Sequence, residues 1–150
     1  MTLTTHALAG AAIGKYFSNP ILVIIVSIII HYTMDTFRHG EYLNRKSTWG
    51  DTTWKVALDL CTGLILVTFL VFQINPTNIS NIALAVFFSL LPDLLTLLYW
   101  KFGVKKLKFL FDFHSNIHSH SQQSPERSWT LRNSVNDIVF CTTSIIFLLL

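Results

Sequence analysis

Apolar residues fall in long blocks along the chain, and polar ones gather between them. Pro20 to Phe37 is one block, built around the run ILVIIVSIII, and Trp54 to Phe72 is a second. Ile79 to Tyr99 is a third, and Leu131 to Leu150 a fourth. A bilayer core takes about 20 mostly apolar residues per helix. Open sheets cannot span lipid, and nothing here alternates as a barrel strand does, so the blocks read as helices. Thr2 to Tyr16 forms a weaker fifth helix, with Thr4 or Thr5 as its cap. Its centre is small, with Gly10 and Gly14 in a GxxxG spacing and Ala7 and Ala11 repeating it. Such spacing lets helix backbones approach closely; the plainer reading is an Ala-rich helix, full span or shallow. It lacks the basic start and long apolar centre of a signal peptide. The bare apolar end at Leu150 leaves room for the chain to run on.

The expectation is therefore an all-α, polytopic membrane bundle: four spanning helices plus a small-residue N-terminal helix, in a single integral domain over residues 1–150. Composition agrees. Charged residues are 13% of the chain against about 25% in soluble domains, and mean hydropathy is +0.50. Disorder is excluded by the same figures. Two cysteines, Cys61 and Cys141, sit in apolar helices and read as small buried residues.

Basic residues set the orientation. Ten of the eleven lie in two alternate connections, Arg38 to Lys55 and Lys101 to Asn133, while QINPTNIS carries no charge. Lys and Arg mark cytoplasmic loops, which places both basic loops in the cytoplasm. The stretch Lys101 to Phe113 mixes lysines with large apolar groups, as a segment lying on anionic lipid does. A nucleic-acid partner is not expected: topology accounts for the basic excess.

Against so few charges, acids inside apolar blocks stand out, because ionisable groups in spans are costly and mark function. His31, Asp35 and His39 are spaced i, i+4, i+8, which holds them on one helical face. Imidazole and carboxylate are ligands for zinc and similar divalent ions. The competing reading makes Asp35 and His39 interfacial residues where the helix leaves the bilayer. Asp59 lies too deep for dipole capping and is either functional or a buried partner of Lys or Arg. Asp93 follows Pro92, where a kink is expected. His114, His118 and His120 crowd HSNIHSHS, which reads equally as a polar loop. The inferred topology brings these groups, with His6, to one membrane face, so one site with one or two metals follows. His6, His31, Asp35, His39, His114 and His118 are its candidate ligands, with Asp59 and Asp93 as catalytic candidates.

Further alternatives are a non-enzymatic ion or metal carrier using the same residues, and a haem carrier with axial His6 and His31. No GxSxG, P-loop, HExxH or CxxC motif is present. The segments THALAGAAIG, HYTMDTFRH, LLPDLL and HSNIH resemble the membrane-bound metal-dependent hydrolases, small bacterial inner-membrane proteins distantly similar to zinc-dependent phospholipase C. The resemblance implies a multi-helix membrane fold, a divalent metal, zinc above all, and hydrolysis of a phosphoester or lipid-like substrate. It is carried by Thr5-His6, Leu91-Pro92-Asp93 and His114 to His120. One departure is that Leu94, Leu95 and Thr96 follow Asp93, where that family often has a second Asp and a His.

Overall fold

A computed structural model describes residues 1–44, 46–118 and 124–150; Arg45 and His120 lie outside the described residues. Among those described the chain is all-helical: α1 (Leu3–Tyr16), α2 (Pro20–Asp35), α3 (Trp49–Ile74), α4 (Ile79–Phe102), α5 (Lys108–Ile117) and α6 (Leu131–Leu149). Short 3-10 turns cover Lys105–Leu107 and Pro125–Arg127.

Local chemistry sets the helix ends. Asn19 caps α2, its side chain accepting from the Ile21 and Leu22 N–H, and Pro20 takes the first position, where a missing N–H costs nothing. Thr48 caps α3 and exchanges hydrogen bonds with Asp51, so α3 begins five residues before the expected Trp54. Asn75 and Gly103 close α3 and α4 in the left-handed region, at φ 43° and 68°. The expected cap of α1 is corrected from Thr4 or Thr5 to Thr2. The helix starts earlier because carboxylates from elsewhere receive its first N–H groups.

The four-span expectation also changes. Among the described residues two helices, α3 and α4, are long and apolar enough to cross a membrane. With sixteen residues, α2 is about 24 Å long, short of a hydrocarbon core of about 30 Å. Polar Arg132, Asn133, Asn136 and Asp137 take up the first two turns of α6. The outer surface is nonetheless apolar on every long helix, with Ile25 and Ile29 on α2, Ile65 and Phe72 on α3, and Ile138 and Phe147 on α6 all exposed.

The centre of the bundle is α1. It packs against α2, α3, α4 and α6, most extensively against α4. Ala7, Leu8 and Ala11 are fully or almost fully buried, and they form a core with Val67, Leu70, Ile82, Val86 and Leu148. The GxxxG pair is what lets α1 and α4 meet. A Cβ on Gly10 would stand 2.8 Å from the Ala85 carbonyl oxygen, and one on Gly14 would stand 2.4 Å from the Ile82 Cα. Gly63 of α3 admits α1 in the same way, with the Thr4 Cα 2.9 Å from its hypothetical Cβ.

Two alanine substitutions separate packing from helix propensity. Alanine favours a helix interior over glycine by about 1 kcal/mol. At Gly14 the obstruction is backbone, so Gly14→Ala should lower stability in detergent unfolding by about 1–3 kcal/mol. At Gly50 the nearest atom is the Thr48 Oγ1 at 3.8 Å, so Gly50→Ala should be neutral or slightly stabilising.

Candidate metal centre

The N-terminus of α1 is buried, so its free N–H groups need acceptors. Asp59 of α3 receives the Leu3 N–H at 2.7 Å, the Thr4 N–H at 3.0 Å and the Thr4 hydroxyl at 2.7 Å. The Tyr42 hydroxyl also donates to it, at 2.7 Å. Asp137 of α6 receives the Thr2 N–H at 2.9 Å and the Thr5 hydroxyl at 3.1 Å. Negative charge at a helix N-terminus is favourable in any case. These contacts fix the height of α1, and with it the position of His6 on the next turn.

His6 is fully buried and stacks on His31, with ring centroids 4.1 Å apart. Its Nε2 lies 3.3 Å from Asp35 Oδ1 and 3.9 Å from Asp93 Oδ2. His31 and Asp35 stand one turn apart on α2, with His31 Nε2 3.2 Å from Asp35 Oδ2. From α5, His114 Nε2 reaches the same Oδ2 at 2.9 Å and lies 3.8 Å from Asp93 Oδ1. The amino group of Met1 lies 2.6 Å from Asp35 Oδ1. On the far side of Asp35 are His39 and His118, whose rings lie 5.1 Å apart. Glu41 is near both, at 3.8 and 3.9 Å, and pairs with Arg127. The Glu41 N–H also donates to the Arg127 carbonyl at 2.8 Å, tying the loop after α2 to the turn before α6.

Proton placement decides what this cluster is for. His31 Nδ1 sits 2.7 Å from the Ser89 carbonyl, in the turn before Pro92. A carbonyl only accepts, so Nδ1 carries the proton, and the Nε2 of a neutral ring has only a lone pair to offer. That lone pair points at a carboxylate oxygen, also an acceptor. His39 repeats the arrangement, with Nδ1 donating to the Phe37 carbonyl at 2.8 Å. Imidazoles that ligate metals are typically held this way, the second nitrogen donating to a carbonyl or carboxylate. Both ring nitrogens of His6, Nε2 of His31 and His39, Nδ1 of His118 and Oδ2 of Asp93 are buried with no hydrogen-bond partner. Orphaned buried polar atoms are costly, and a cation among them would remove that cost.

Two donor sets can hold such an ion, His31, Asp35, Asp93 and His114 in one, Asp35, His39 and His118 in the other, with ligand atoms within 4.8 Å of one another in each. A tetrahedral ion with bonds of about 2.1 Å puts its ligand atoms about 3.4 Å apart, close to the 2.9, 3.2 and 3.8 Å seen between donors of the first set. Asp35 belongs to both sets, so its carboxylate would be shared between the two positions. Burial holds the pKa of His39 down to about 4 and that of His118 to about 3, which keeps both rings neutral at physiological pH. His114 is shifted upward: burial opposes this, but its hydrogen bond to Asp35 and the charge of Asp93 outweigh it.

The candidate ligands His6, His31, Asp35, His39, His114 and His118 are thus gathered around Asp35, and Asp93 borders them on the side of a large cavity. Asp59 is not among the converging donors; its carboxylate is committed to α1 and Tyr42. Two contributors escaped the sequence reading. Glu41 follows His39 by two residues, which was the available signal. The contact of Asp137 with α1 arises only from the tertiary fold. No protein-family model, curated protein or solved structure matches the chain significantly.

Asp59 allows a direct test of its structural role. Asp59→Ala leaves two N–H groups and the Tyr42 hydroxyl without their acceptor, the Thr4 hydroxyl keeping the Asp59 carbonyl, and should lower stability by about 3 kcal/mol, the scale of hydrogen bonds to a charged group. Folded Asp59→Ala protein should keep its metal content. Normal stability with lost metal would instead make Asp59 a ligand.

Proposed function

We propose that this chain is a membrane-embedded, metal-dependent hydrolase with a two-metal centre bridged by Asp35, acting on a phosphoester. The observation that carries this reading is the pairing of His31 and His39: each commits its Nδ1 proton to a carbonyl and turns its bare Nε2 toward the Asp35 region. A structural role for buried histidines would pair both nitrogens. The His/Asp donors favour zinc-class ions, and the residues are those through which the chain resembles the membrane-bound metal-dependent hydrolases.

Bound ions would supply Lewis acidity and a water acidified toward neutrality. The remaining roles belong to the chain. Asp35 sets the spacing of the two positions. Asp93, on the cavity side, is placed to take a proton from the attacking water. The Thr96 hydroxyl, 2.8 Å from His114 Nδ1, keeps that ring turned into the donor set, and the proton taken up by Asp93 is the one handed on to the leaving alcohol. The reaction adds water across a P–O ester bond: the water oxygen bonds phosphorus, and the ester oxygen departs with a proton.

The apolar outer surface supports burial in a bilayer. A hairpin of α3 and α4 by itself brings the loop before α3 and the loop after α4 to one side, so the basic loops face the cytoplasm of an inner-membrane protein even with two spans. On that side α5 exposes Phe109 and Phe113 beside Lys105, Lys106 and Lys108, which suits contact with anionic lipid.

Elemental analysis of protein purified with zinc or manganese present tests the centre. The wild type should carry two ions, His39→Gln one, and Asp35→Ala none. With the two ions bound, bis(4-nitrophenyl) phosphate should be hydrolysed, at least 100-fold more slowly by Asp93→Asn. Folded, metal-free wild type would overturn the proposal. Metal without hydrolysis, accompanied by metal passage across vesicles, would favour a carrier.

A further inference from the structure

A cavity of about 700 Å³ adjoins the cluster, within the range of about 300–1,000 Å³ usual for small-molecule sites. Its lining is of two kinds. Asp93, His114, His118 and the Glu41–Arg127 pair supply its polar lining, and Leu60, Phe87, Leu94 and Leu97 much of its apolar lining. The packing explains why the space exists. Helices α3 and α4 are consecutive, yet they hardly touch, because α1 lies against both and separates them. Phe87 and Leu94 line the cavity and are also exposed, at 53% and 43%, so the space opens sideways between α3 and α4. Leu64, one turn after Leu60 on the same face of α3, is exposed as well. A water-soluble substrate would need a polar entrance, whereas the exposed Phe87 and Leu94 that line this one are apolar.

We propose that this slot admits a phospholipid sideways from the bilayer, an acyl chain lying between Leu60 and Leu94 and the phosphate meeting Asp93, His114 and the metal positions. The inference rests on the metal-centre reading and names the substrate class of the same site. Charge complementarity selects the occupant: an anionic phosphate suits bound cations with Arg127 nearby, and most of the remaining walls are hydrocarbon, with Tyr42, Asn44, Thr96 and Ser115 among them. A free phosphate would leave the apolar lining unused. A fatty acid would carry no ester for the site.

Photo-crosslinking in nanodiscs tests it, using phosphatidylglycerol with a diazirine midway along one acyl chain. Adducts on Leu97 should exceed those on outward-facing Ile25 by at least fivefold. Filling the slot with Leu60→Trp and Leu94→Trp together should cut the Leu97 adducts at least tenfold and leave those on Phe72 unchanged. The roomier Leu60→Ala variant should keep them, which guards against a folding defect in the double variant. Leu97 labelling no higher than at Ile25, or undiminished by the two tryptophans, would overturn the proposal. Metal content measured on the same samples separates the two readings: labelled but metal-free protein sinks the metal centre alone, and metal-loaded protein without slot labelling sinks the lipid slot alone.

Discussion

Burying a helix N-terminus away from water leaves several N–H donors to be satisfied, and α1 meets that demand with carboxylates borrowed from two other helices. Asp59 and Asp137 grip Thr2, Leu3, Thr4 and Thr5 from opposite sides. Much else depends on this grip. It fixes how far α1 penetrates the bundle, aligns Gly10 and Gly14 with the α4 backbone, and sets His6 against His31. It also holds α3 and α4 apart, so the cavity beside the cluster follows from how α1 is anchored. For Asp59 this has a further consequence: both its oxygens are taken up by donors of α1 and by Tyr42, so it does not compete for cations.

Asp35 plays the complementary part. Burial of a carboxylate is costly unless charge or hydrogen bonds compensate, and around this one stand the Met1 amine and the imidazoles of His6, His31 and His114. The amine and His114 are the shortest of these contacts. His31 cannot donate in its neutral form, since its proton is held by Ser89. The polar demand of the cluster is thus only partly met by the protein's own atoms, and the orphaned nitrogens lie on the two sides of Asp35 where a donor set exists. A purely structural cluster would have no reason to leave this pattern.

The sequence disclosed the local part of this arrangement. His31 and Asp35 were legible as a pair because helix periodicity alone puts them on one face, and Gly10 and Gly14 were legible as a contact surface because small residues at that spacing have few other uses. The fit of the glycines to Ala85 and Ile82 was not, since it depends on which helix arrives. Asp59 shows the limit most clearly. Its depth within α3 correctly argued against capping its own helix, but nothing local reveals that it caps another. The number of spans was overestimated for a related reason: apolar composition does not distinguish a residue facing lipid from one facing α1, and the shortness of α2 only emerges once its ends at Asn19 and Thr36 are fixed.

The same geometry bears on how such a small chain can combine a polar centre with an apolar exterior. A bundle of long helices packed directly on one another would exclude both water and substrate. Inserting a short, small-residue helix at the middle changes this. It supplies the core, through Ala7, Leu8 and Ala11, while it keeps its two longest neighbours from closing on each other. The cluster sits where α1 begins, where α2 ends and beside Pro92 inside α4, which is where backbone groups are left free of helix ladders and can hold imidazole rings in place. The cluster is therefore located by helix ends and a proline, and the cavity beside it by the gap that α1 keeps between α3 and α4.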